Sequence, residues 1–502
     1  MRRLLAPALL LLFAVPAVAA TVRGTAHGDL LSGTAKRDTI RAGAGNDFVQ
    51  AAWGGVDTVH CGSGRDVVSA DLGDRVATDC EVVDRRLSVD TSTDPTGQHE
   101  TAVEPASFSS GSTVVAAFQL GRIRLGASNN IGWATSADAG RTWRRGVLPS
   151  LTVDSTPRGP EQSASDPTVA YDAVHHTWLI GMLTLEPASS HVLVARSQDA
   201  LTWSAPVTIA TGPVLDKDWL ACDNGATSPH RGPCYAAYTD DDRNETVVQW
   251  SDDGGLTWSQ PVAATSTLVG TQPVILPDGT LVVVAGDYEG EGALDGAIDA
   301  VVSHDGGATY TRATIATLQS HGAGALREAS LPSVAVDAAG TIDAVWVDCR
   351  FRPGCTGDDL VLSTSTDGIT WTPPVRIAVA PVTSSEVDFI PGLAADPTRP
   401  GHLGLVYAYY APGSCARGTC LLGTSFVQST NGGATWTTPQ RLDALPVRLT
   451  WLARAIGGRM VGDSYATSYA AKRVVPVFTL AIPPLPSGRF REAIFAASLP
   501  AR

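Results

Sequence analysis

Five aspartates recur at nearly constant spacing near the start of the chain. They are separated by steps of 9, 9, 10 and 9 residues, and an apolar residue follows each within two positions. Carboxylates are hard oxygen ligands, and neighbouring glycines let the chain turn tightly enough to bring backbone carbonyls beside them. The spacing therefore predicts that neighbouring turns hold a divalent cation. The residues are Asp29, Asp38, Asp47, Asp57 and Asp66.

This segment, residues 24–83, resembles the haemolysin-type (RTX) calcium repeat. AGAGNDFV (42–49) and CGSGRDVV (61–68) fit the nonapeptide G-G-x-G-x-D-x-U-x closely. The resemblance implies a small β-roll with Ca²⁺ as its cofactor, bound by the five aspartates. The first two turns, GTAHGD and GTAKRD, lack part of the glycine pattern, so we expect weaker sites there. The alternative is a disordered linker, because a Gly/Asp-rich composition buries little apolar surface.

A second repeat, Ser-x-Asp-x-Gly-x-Thr-Trp in varied form, returns six times in the rest of the chain. In this pattern the acidic side chain can bond backbone amides ahead of it, glycine allows a positive φ, and the aromatic residue packs into the next strand. We therefore expect the Asp and Trp of each copy to build the fold and not to catalyse. The copies are SADAGRTW (136–143), SQDALTW (197–203), SDDGGLTW (251–258), SHDGGATY (303–310), STDGITW (365–371) and STNGGATW (429–436).

These copies are Asp-boxes, and residues 100–495 resemble the sialidase superfamily of BNR-repeat β-propellers. The resemblance implies an all-β fold in which each box lies between the third and fourth strands of a blade. Seven apparent first strands favour seven blades, with six, the number typical of sialidases, as the alternative. The predicted division of the chain is a signal peptide (1–20), an RTX-like β-roll (21–84), a linker or closing strand (85–100) and the propeller (101–502).

Candidate catalytic residues come from polar positions that such a propeller would place on one face. Sialidases hold the substrate carboxylate with an arginine triad, and they use a Tyr nucleophile with a Glu partner and an Asp acid/base. The resemblance offers two arginines for the triad and two tyrosines for the nucleophile, but the family's Arg-Ile-Pro motif is absent and no third arginine is evident. The predicted residues are Asp166, Tyr288, Arg327, Glu328, Arg350 and Tyr465.

One string among the predicted first strands is unusual. Asp216-Lys217-Asp218-Trp219 places a lysine between two carboxylates. The string is either part of a binding pocket on the face that carries the predicted catalytic residues, or a corner held by salt bridges. We expect Trp219 to pack beneath that corner.

Composition and processing signals indicate an exported protein. MRRLLAPALLLLFAVPAVAA has the basic start, apolar stretch and small-residue end of a signal peptide, with cleavage after Ala19 or Ala20. Eight cysteines form close sequence pairs, and an even count in an exported chain favours disulfides. The net charge of −14 argues against a nucleic-acid partner or an anionic membrane. The pairs are Cys61/Cys80, Cys222/Cys234, Cys349/Cys355 and Cys415/Cys420.

Two functions fit these patterns. The first is a secreted, sialidase-like glycoside hydrolase of the exo-α-sialidase type, acting on extracellular glycans. The second is a non-catalytic propeller that binds glycans or surface proteins. We expect a monomer without a membrane span in either case.

Overall fold

The computed structural model describes residues 19–288, 295–327, 330–415 and 420–502. The predicted signal peptide therefore lies almost wholly outside the described residues, and Glu328 lies outside them too. The chain divides into two compact units, Met1–Val83 and Asp84–Arg502. No helix among the described residues is long and apolar enough to cross a membrane.

The first unit winds in short parallel strands. Strands β1, β3, β5 and β7 stack as one sheet, while β2, β4 and β6 stack in another. Ile40, Val49, Val59 and Val68 are fully buried between them, because each nonapeptide supplies its apolar residue to the core. The strands are β1 Thr21–Arg23, β2 Leu30–Ser32, β3 Thr39–Ala44, β4 Phe48–Gln50, β5 Thr58–Ser63, β6 Val67–Asp71, β7 Arg75–Val76 and β8 Val82–Arg86, the last of which continues into the second unit.

The second unit is a succession of antiparallel sheets, joined by turns and loops. Its first sheets contain β9 Ala102–Ser110, β10 Thr113–Arg122, β11 Ser128–Ser136, β12 Arg144–Val147, β13 Ala164–Asp172, β14 Thr177–Leu185, β15 Ser190–Ser197, β16 Val207–Gly212, β17 Leu215–Cys222, β18 Cys234–Asp240, β19 Glu245–Ser251 and β20 Val262–Ser266. The following sheets contain β21 Val269–Ile275, β22 Leu281–Asp287, β23 Asp295–Ser303, β24 Thr311–Gln319, β25 Ser333–Val336, β26 Ile342–Asp348, β27 Asp359–Ser365 and β28 Val375–Arg376. The remaining elements are β29 Val387–Ala395, β30 Leu403–Tyr410, β31 Leu421–Ser429, β32 Gln440–Arg441, β33 Val447–Arg448, a 3₁₀ helix at Leu449–Trp451, β34 Ala453–Ala455, β35 Gly458–Met460, β36 Ala466–Ala470, β37 Arg473–Ala481, β38 Glu492–Ala497 and β39 Leu499–Pro500.

The predicted architecture is wrong, although the all-β class is confirmed. The regular winding of the structure is a β-solenoid of about four turns, and not a β-propeller of seven or six blades. The boxes specify one hairpin each and carry no information on how sheets join. Two groups of four strands, β9–β12 and β13–β16, in fact form one eight-stranded sheet through the pairing of Ser128 with Ala164.

Each Asp-box forms the turn between the third and fourth strands of its group, as between β19 and β20. Here Asp253 Oδ1 accepts hydrogen bonds from the backbone amides of Leu256 and Thr257, each at 2.9 Å, and Oδ2 accepts one from the Thr257 hydroxyl at 2.6 Å. Burial acts to raise the pKa of Asp253, but the bonds from Thr257 and its neighbours prevail and lower it to about 2. Gly255, at a φ of 82°, donates to Ser251 Oγ at 2.8 Å. The box is thus a self-contained turn.

The predicted disulfides are confirmed. All four sequence pairs are bonded, namely Cys61–Cys80, Cys222–Cys234, Cys349–Cys355 and Cys415–Cys420. No free cysteine occurs in the part of the chain that the structure describes.

Candidate functional site

The strands that begin several four-strand groups of the second unit share a backbone irregularity. In each, one residue is displaced from the regular pairing with the next strand. The pairing of β9, β13, β17, β21 and β29 shifts by a bulge. The bulged residues Glu104, Asp166, Lys217, Gly270 and Ile390 have φ values of 54°, 46°, 52°, 71° and 52°. Such values are unfavourable for residues other than glycine, and bulges of this kind re-aim side chains beside functional sites. Three of these five residues have ionisable side chains.

Lys217 lies at the centre of a buried charged cluster. Its Nζ is 3.1 Å from Asp463 Oδ2, 3.5 Å from Asp166 Oδ2 and 3.6 Å from Asp216 Oδ1. Arg327 Nη1 donates to the other oxygen of Asp463 at 2.6 Å. The side chains of Lys217 and Asp463 are only 8% and 5% exposed, so water screens these attractions little. The predicted salt-bridged corner is present, and its lysine reaches two further carboxylates beyond the Asp216–Asp218 string.

The pKa values of two carboxyl groups in the cluster are shifted in opposite directions. Burial, with repulsion from Asp166 and Asp463, raises the pKa of Glu104 well above its usual value. Burial acts in the same direction on Asp463, but attraction to Lys217 and then Arg327 prevails and lowers the pKa of that group. Glu104 also accepts a hydrogen bond from Gln119 Nε2. Two carboxyl groups whose pKa values are pushed apart therefore occupy one cluster, which is the arrangement that acid–base chemistry uses.

The backbone puts these two groups side by side. A methyl group added at Gly462 would lie 2.7 Å from the Glu104 nitrogen and 3.1 Å from Glu104 Cγ. The Glu104 amide also donates to the carbonyl of Val461 at 3.2 Å. Gly462 therefore permits a close approach that a larger residue would block.

Two of the cavities that adjoin the cluster differ greatly in size. The inner cavity, lined by Glu104, Asp166, Lys217 and Asp463 among others, has a volume of about 30 Å³, enough for a water molecule and too small for a sugar ring. The outer cleft has a volume of about 1330 Å³. Its wall includes Lys217, Tyr288 and four aspartates, Asp216, Asp241, Asp287 and Asp295. Lys217 lines both spaces.

The structure brings only some of the predicted catalytic residues together. Asp166 and Arg327 belong to the cluster, and Tyr288 lines the outer cleft. Arg350 instead pairs with Asp348 at 2.6 Å and donates to the carbonyl of Thr317. Tyr465 is buried, burial raises its pKa, and its hydroxyl donates to the Thr479 carbonyl at 3.4 Å. Their catalytic roles stay predictions.

The catalytic residues predicted from the sequence did not include Glu104, Lys217 or Asp463. The signal for Glu104 and Asp166 was a charged residue directly before proline at the start of a strand, in Glu104-Pro105 and Asp166-Pro167. For Asp463, the only local signal is the preceding Gly462.

The aspartates of the first unit form a second arrangement, a ladder of carboxylates. Asp47 Oδ1 accepts from the Asp29 amide at 2.8 Å, Asp57 Oδ1 from Asp38 at 2.7 Å, and Asp66 Oδ1 from Asp47 at 2.8 Å. Alternate aspartates therefore stack on each other, 18 or 19 residues apart.

Two acidic residues that the spacing did not single out continue the ladder. Asp74 Oδ1 accepts from the Asp57 amide at 2.8 Å, and Glu81 Oε2 accepts from the Asp66 amide at 2.9 Å.

The second carboxylate oxygen distinguishes early turns from later ones. In the first two turns, the amides of Thr25 and Thr34 donate to Oδ2 of Asp29 and Asp38. In the later turns, Oδ2 of Asp47, Asp57 and Asp66 is buried and has no hydrogen-bond partner among the described residues. Those three oxygens are the ones available to a cation.

The surroundings of these oxygens fit Ca²⁺ in donor type. A methyl group at Gly33 would lie 3.1 Å from Asp38 Oδ2 and 3.3 Å from Asp57 Oδ2, so carboxylates of two turns face one glycine. A methyl group at Gly54 would lie 2.7 Å from the Thr34 carbonyl oxygen. Burial and repulsion from Asp74 and Asp38 raise the pKa of Asp57 to about 6 despite a backbone hydrogen bond. Across the described ranges no group of three His, Cys, Asp or Glu side chains could hold a metal ion, so carbonyls must complete any site.

Comparison with known families agrees with both repeat patterns. Residues 188–407 match the BNR repeat-like domain, and residues 23–55 match the RTX calcium-binding nonapeptide repeat (4 copies). Both resemblances are confirmed over these residues. No curated protein matches the chain in sequence.

Solved structures of glycan-processing proteins are similar at low identity. A leech intramolecular trans-sialidase is 14% identical, with a TM-score of 0.42 over 64% of this chain and 67% of that one. A Hadza microbial sialidase is 19% identical, with a TM-score of 0.42 over 62% of this chain and 64% of that one. An ulvan lyase is 12% identical, with a TM-score of 0.46 over 81% and 96%. The chain thus spans about two thirds of the length of the two sialidases.

Proposed function

We propose that this protein binds glycans in the outer cleft beside Lys217. The observation that carries the proposal is a cleft of about 1330 Å³ whose wall includes four aspartates. Carboxylates accept hydrogen bonds, and sugars present many hydroxyl donors. The match of residues 188–407 to the BNR repeat-like domain supports a sialidase-superfamily, glycan-directed protein. Four disulfides support an oxidising, extracellular place of action.

The cleft is better suited to hydroxyl groups than to the carboxylate of a sialoside. Lys217 is the one cation on its wall among the described residues, and Asp166, Asp216 and Asp463 already surround it. Arg327 and Arg350 are likewise paired with carboxylates. Exo-α-sialidase activity would need arginines free to bind the substrate, and it is therefore the less supported form of this proposal.

Glycoside hydrolysis is the second candidate, favoured by the contrasting carboxyl groups of the cluster. Glu104, with its raised pKa, would donate a proton to the leaving oxygen, and Asp463, with its lowered pKa, would stabilise the developing positive charge. The inner cavity holds no sugar at its present size, so this activity requires the wall between cavity and cleft to open.

We also propose that the first unit binds Ca²⁺. Asp47, Asp57 and Asp66 would supply the carboxylate oxygens, and carbonyls of adjacent turns would complete the ligand set. A bound cation would neutralise carboxylates that otherwise repel one another.

The test is binding of neutral oligosaccharides to the full chain in calcium, measured by calorimetry, with release of reducing sugar followed in parallel. Asp241 lines the cleft and Asp242 does not, so Asp241→Asn should weaken binding while the matched control Asp242→Asn leaves it unchanged. Equal affinities for both variants would overturn the cleft as the binding site. Sugar release that Glu104→Gln abolishes would establish hydrolysis.

A further inference from the structure

A short two-stranded ribbon presents two arginines side by side. Strands β34 and β35 are joined by a turn at Ile456-Gly457, with Gly457 at a φ of 83°. In this register Arg454 and Arg459 are direct cross-strand partners. Direct partners in an antiparallel pair lie on one face, with Cβ atoms about 4.5–5.5 Å apart. The two guanidinium groups therefore extend from the same face of the ribbon.

Both arginine backbones are held by other parts of the second unit. The Arg454 amide donates to Gln98 Oε1 at 2.8 Å, and Gln98 Nε2 donates to the Arg454 carbonyl at 2.7 Å. On the other strand, the Arg459 amide donates to the Ala325 carbonyl at 3.0 Å, and its carbonyl accepts from the Arg327 amide at 2.6 Å. The ribbon is thus anchored along both edges, and the positions of the two side chains are fixed by their backbones.

Neither arginine of the pair forms an ion pair with any residue that the structure describes, and Glu492 is the acid that attracts Arg459. Burial, and then repulsion from Arg454, lowers the pKa of Arg459. The adjacent acid is Glu492, which accepts from the Ala453 amide at 2.7 Å; burial raises its pKa well above its usual value, against the attraction of Arg459. Like charges directly opposite each other destabilise a ribbon, and in a chain of net charge −14 this placement is unexpected.

We propose that Arg454 and Arg459 form an oxyanion site that takes the carboxylate or sulfate group of an acidic glycan. Guanidinium groups donate pairs of parallel hydrogen bonds that match both anions, and a bound anion would remove the repulsion between the two arginines. Arg459 Nη1 is bonded to the Leu452 carbonyl at 2.7 Å, which leaves its other nitrogen donors and those of Arg454 for the ligand.

The site connects to the charged cluster through Arg327. Arg327 Nη1 lies 3.6 Å from the sulfur of Met460, on the same ribbon, and 2.6 Å from Asp463 Oδ1. Asp463 in turn contacts Lys217 on the wall of the cleft. The choice of a glycan as the source of the anion rests on the proposed function, whereas the anion site itself does not.

The experiment measures thermal unfolding of the full chain in calcium, with sodium sulfate or sodium glucuronate titrated at constant ionic strength in sodium chloride. The wild type should show a saturable rise in Tm with each anion. Arg454→Gln should weaken apparent affinity by roughly tenfold or more. The matched control Arg448→Gln removes a nearby exposed arginine and should leave the response intact.

Charge reversal separates the proposal from a loss of folding. Arg454→Glu places opposite charges across the ribbon, so it should raise Tm in chloride alone and abolish the response to sulfate and glucuronate. An unchanged anion response in Arg454→Gln and Arg454→Glu would overturn the site. A rise in Tm with sulfate and not with glucuronate would identify the ligand group as a sulfate. A rise with glucuronate and not with sulfate would identify it as a carboxylate. Binding of neutral glycans, measured on the wild type and on Arg454→Gln, tests the cleft separately. If the wild type did not bind them, the proposed function would be wrong and the anion site would still stand.

Discussion

Lys217 Nζ and Asp463 Oδ2 lie 3.1 Å apart in a part of the second unit where both side chains are almost fully buried. The two residues are far apart in sequence, and a bulge in β17 puts Lys217 in a left-handed conformation to make the contact. The contact is strongly coupled to the fold, because removing Lys217 takes a positive charge from a buried cluster of carboxylates and leaves Asp463 with Arg327 as its partner.

We therefore expect Lys217→Met to lower the free energy of unfolding by about 3 kcal/mol. Arg243→Met is the matched control, since Arg243 is 64% exposed and lies 3.6 Å from Asp240. The Arg243→Met substitution should lower the free energy of unfolding by less than about 1 kcal/mol. Urea denaturation of the three proteins measures both values, and similar losses would show that burial does not strengthen the Lys217 pair.

Local patterns predicted local structure well. The Asp-boxes gave hairpin turns, because each box satisfies its own hydrogen bonds within a few residues, as Asp253 does with Leu256 and Thr257. The near-constant spacing of the aspartates gave stacked turns for the same reason. Cysteine pairs close in sequence were close in space, as in Cys222 and Cys234 on adjacent strands.

The architecture and most of the site depended on contacts that no local pattern contains. The pairing of Ser128 with Ala164, which merges two groups of strands, has no sequence signal. Arg350 and Tyr465 have the residue types of a sialidase site, but Arg350 is paired with Asp348 and Tyr465 is buried. The directions in which the side chains of Glu104, Asp166 and Lys217 point depend on bulges. The positions of those bulges follow from the pairing of each strand with its neighbour.

Calcium should stabilise the first unit, and its later turns should contribute most. Asp66→Asn removes a carboxylate whose Oδ2 is buried without a partner, whereas Asp29→Asn removes one already bonded by Thr25. We expect calcium to slow proteolysis within residues 20–83 of the full chain by mass action. Asp66→Asn should need several-fold more calcium for the same protection, with Asp29→Asn near the wild type. Identical cleavage in calcium and in chelator would contradict calcium binding.

Asp343 should make stability depend on pH. Both of its carboxylate oxygens are buried without a hydrogen-bond partner within the described residues, and burial, then repulsion from Asp337, raises its pKa from 3.8 to about 7. The folded state therefore binds more protons than the unfolded state between these two values. The contribution of this group is fully present below about pH 4 and is lost as pH rises through 7, by about 4 kcal/mol.

The measurement is chemical denaturation at several pH values between 4 and 8, for the wild type and Asp343→Asn. The variant should show a flatter profile and should be more stable than the wild type at pH 8, because an amide cannot ionise. Parallel profiles for the two proteins would assign the pH dependence to other groups.

The Cys222–Cys234 disulfide should stabilise the second unit through the loop it closes. The bond spans 12 residues and joins directly paired positions of β17 and β18. Thr227 Oγ1, within that loop, donates to the Pro277 carbonyl at 2.8 Å, so the loop packs on the following group of strands. Chain-entropy arguments give about 3 kcal/mol for a loop of this length.

Replacing both cysteines by serine should lower the free energy of unfolding by about that amount, whereas the Cys349–Cys355 pair, which spans 6 residues, should give a smaller loss. Calorimetry or urea denaturation of the two double variants provides the comparison. A larger loss at the shorter loop would mean that local packing, and not restriction of the unfolded chain, determines what these bonds contribute.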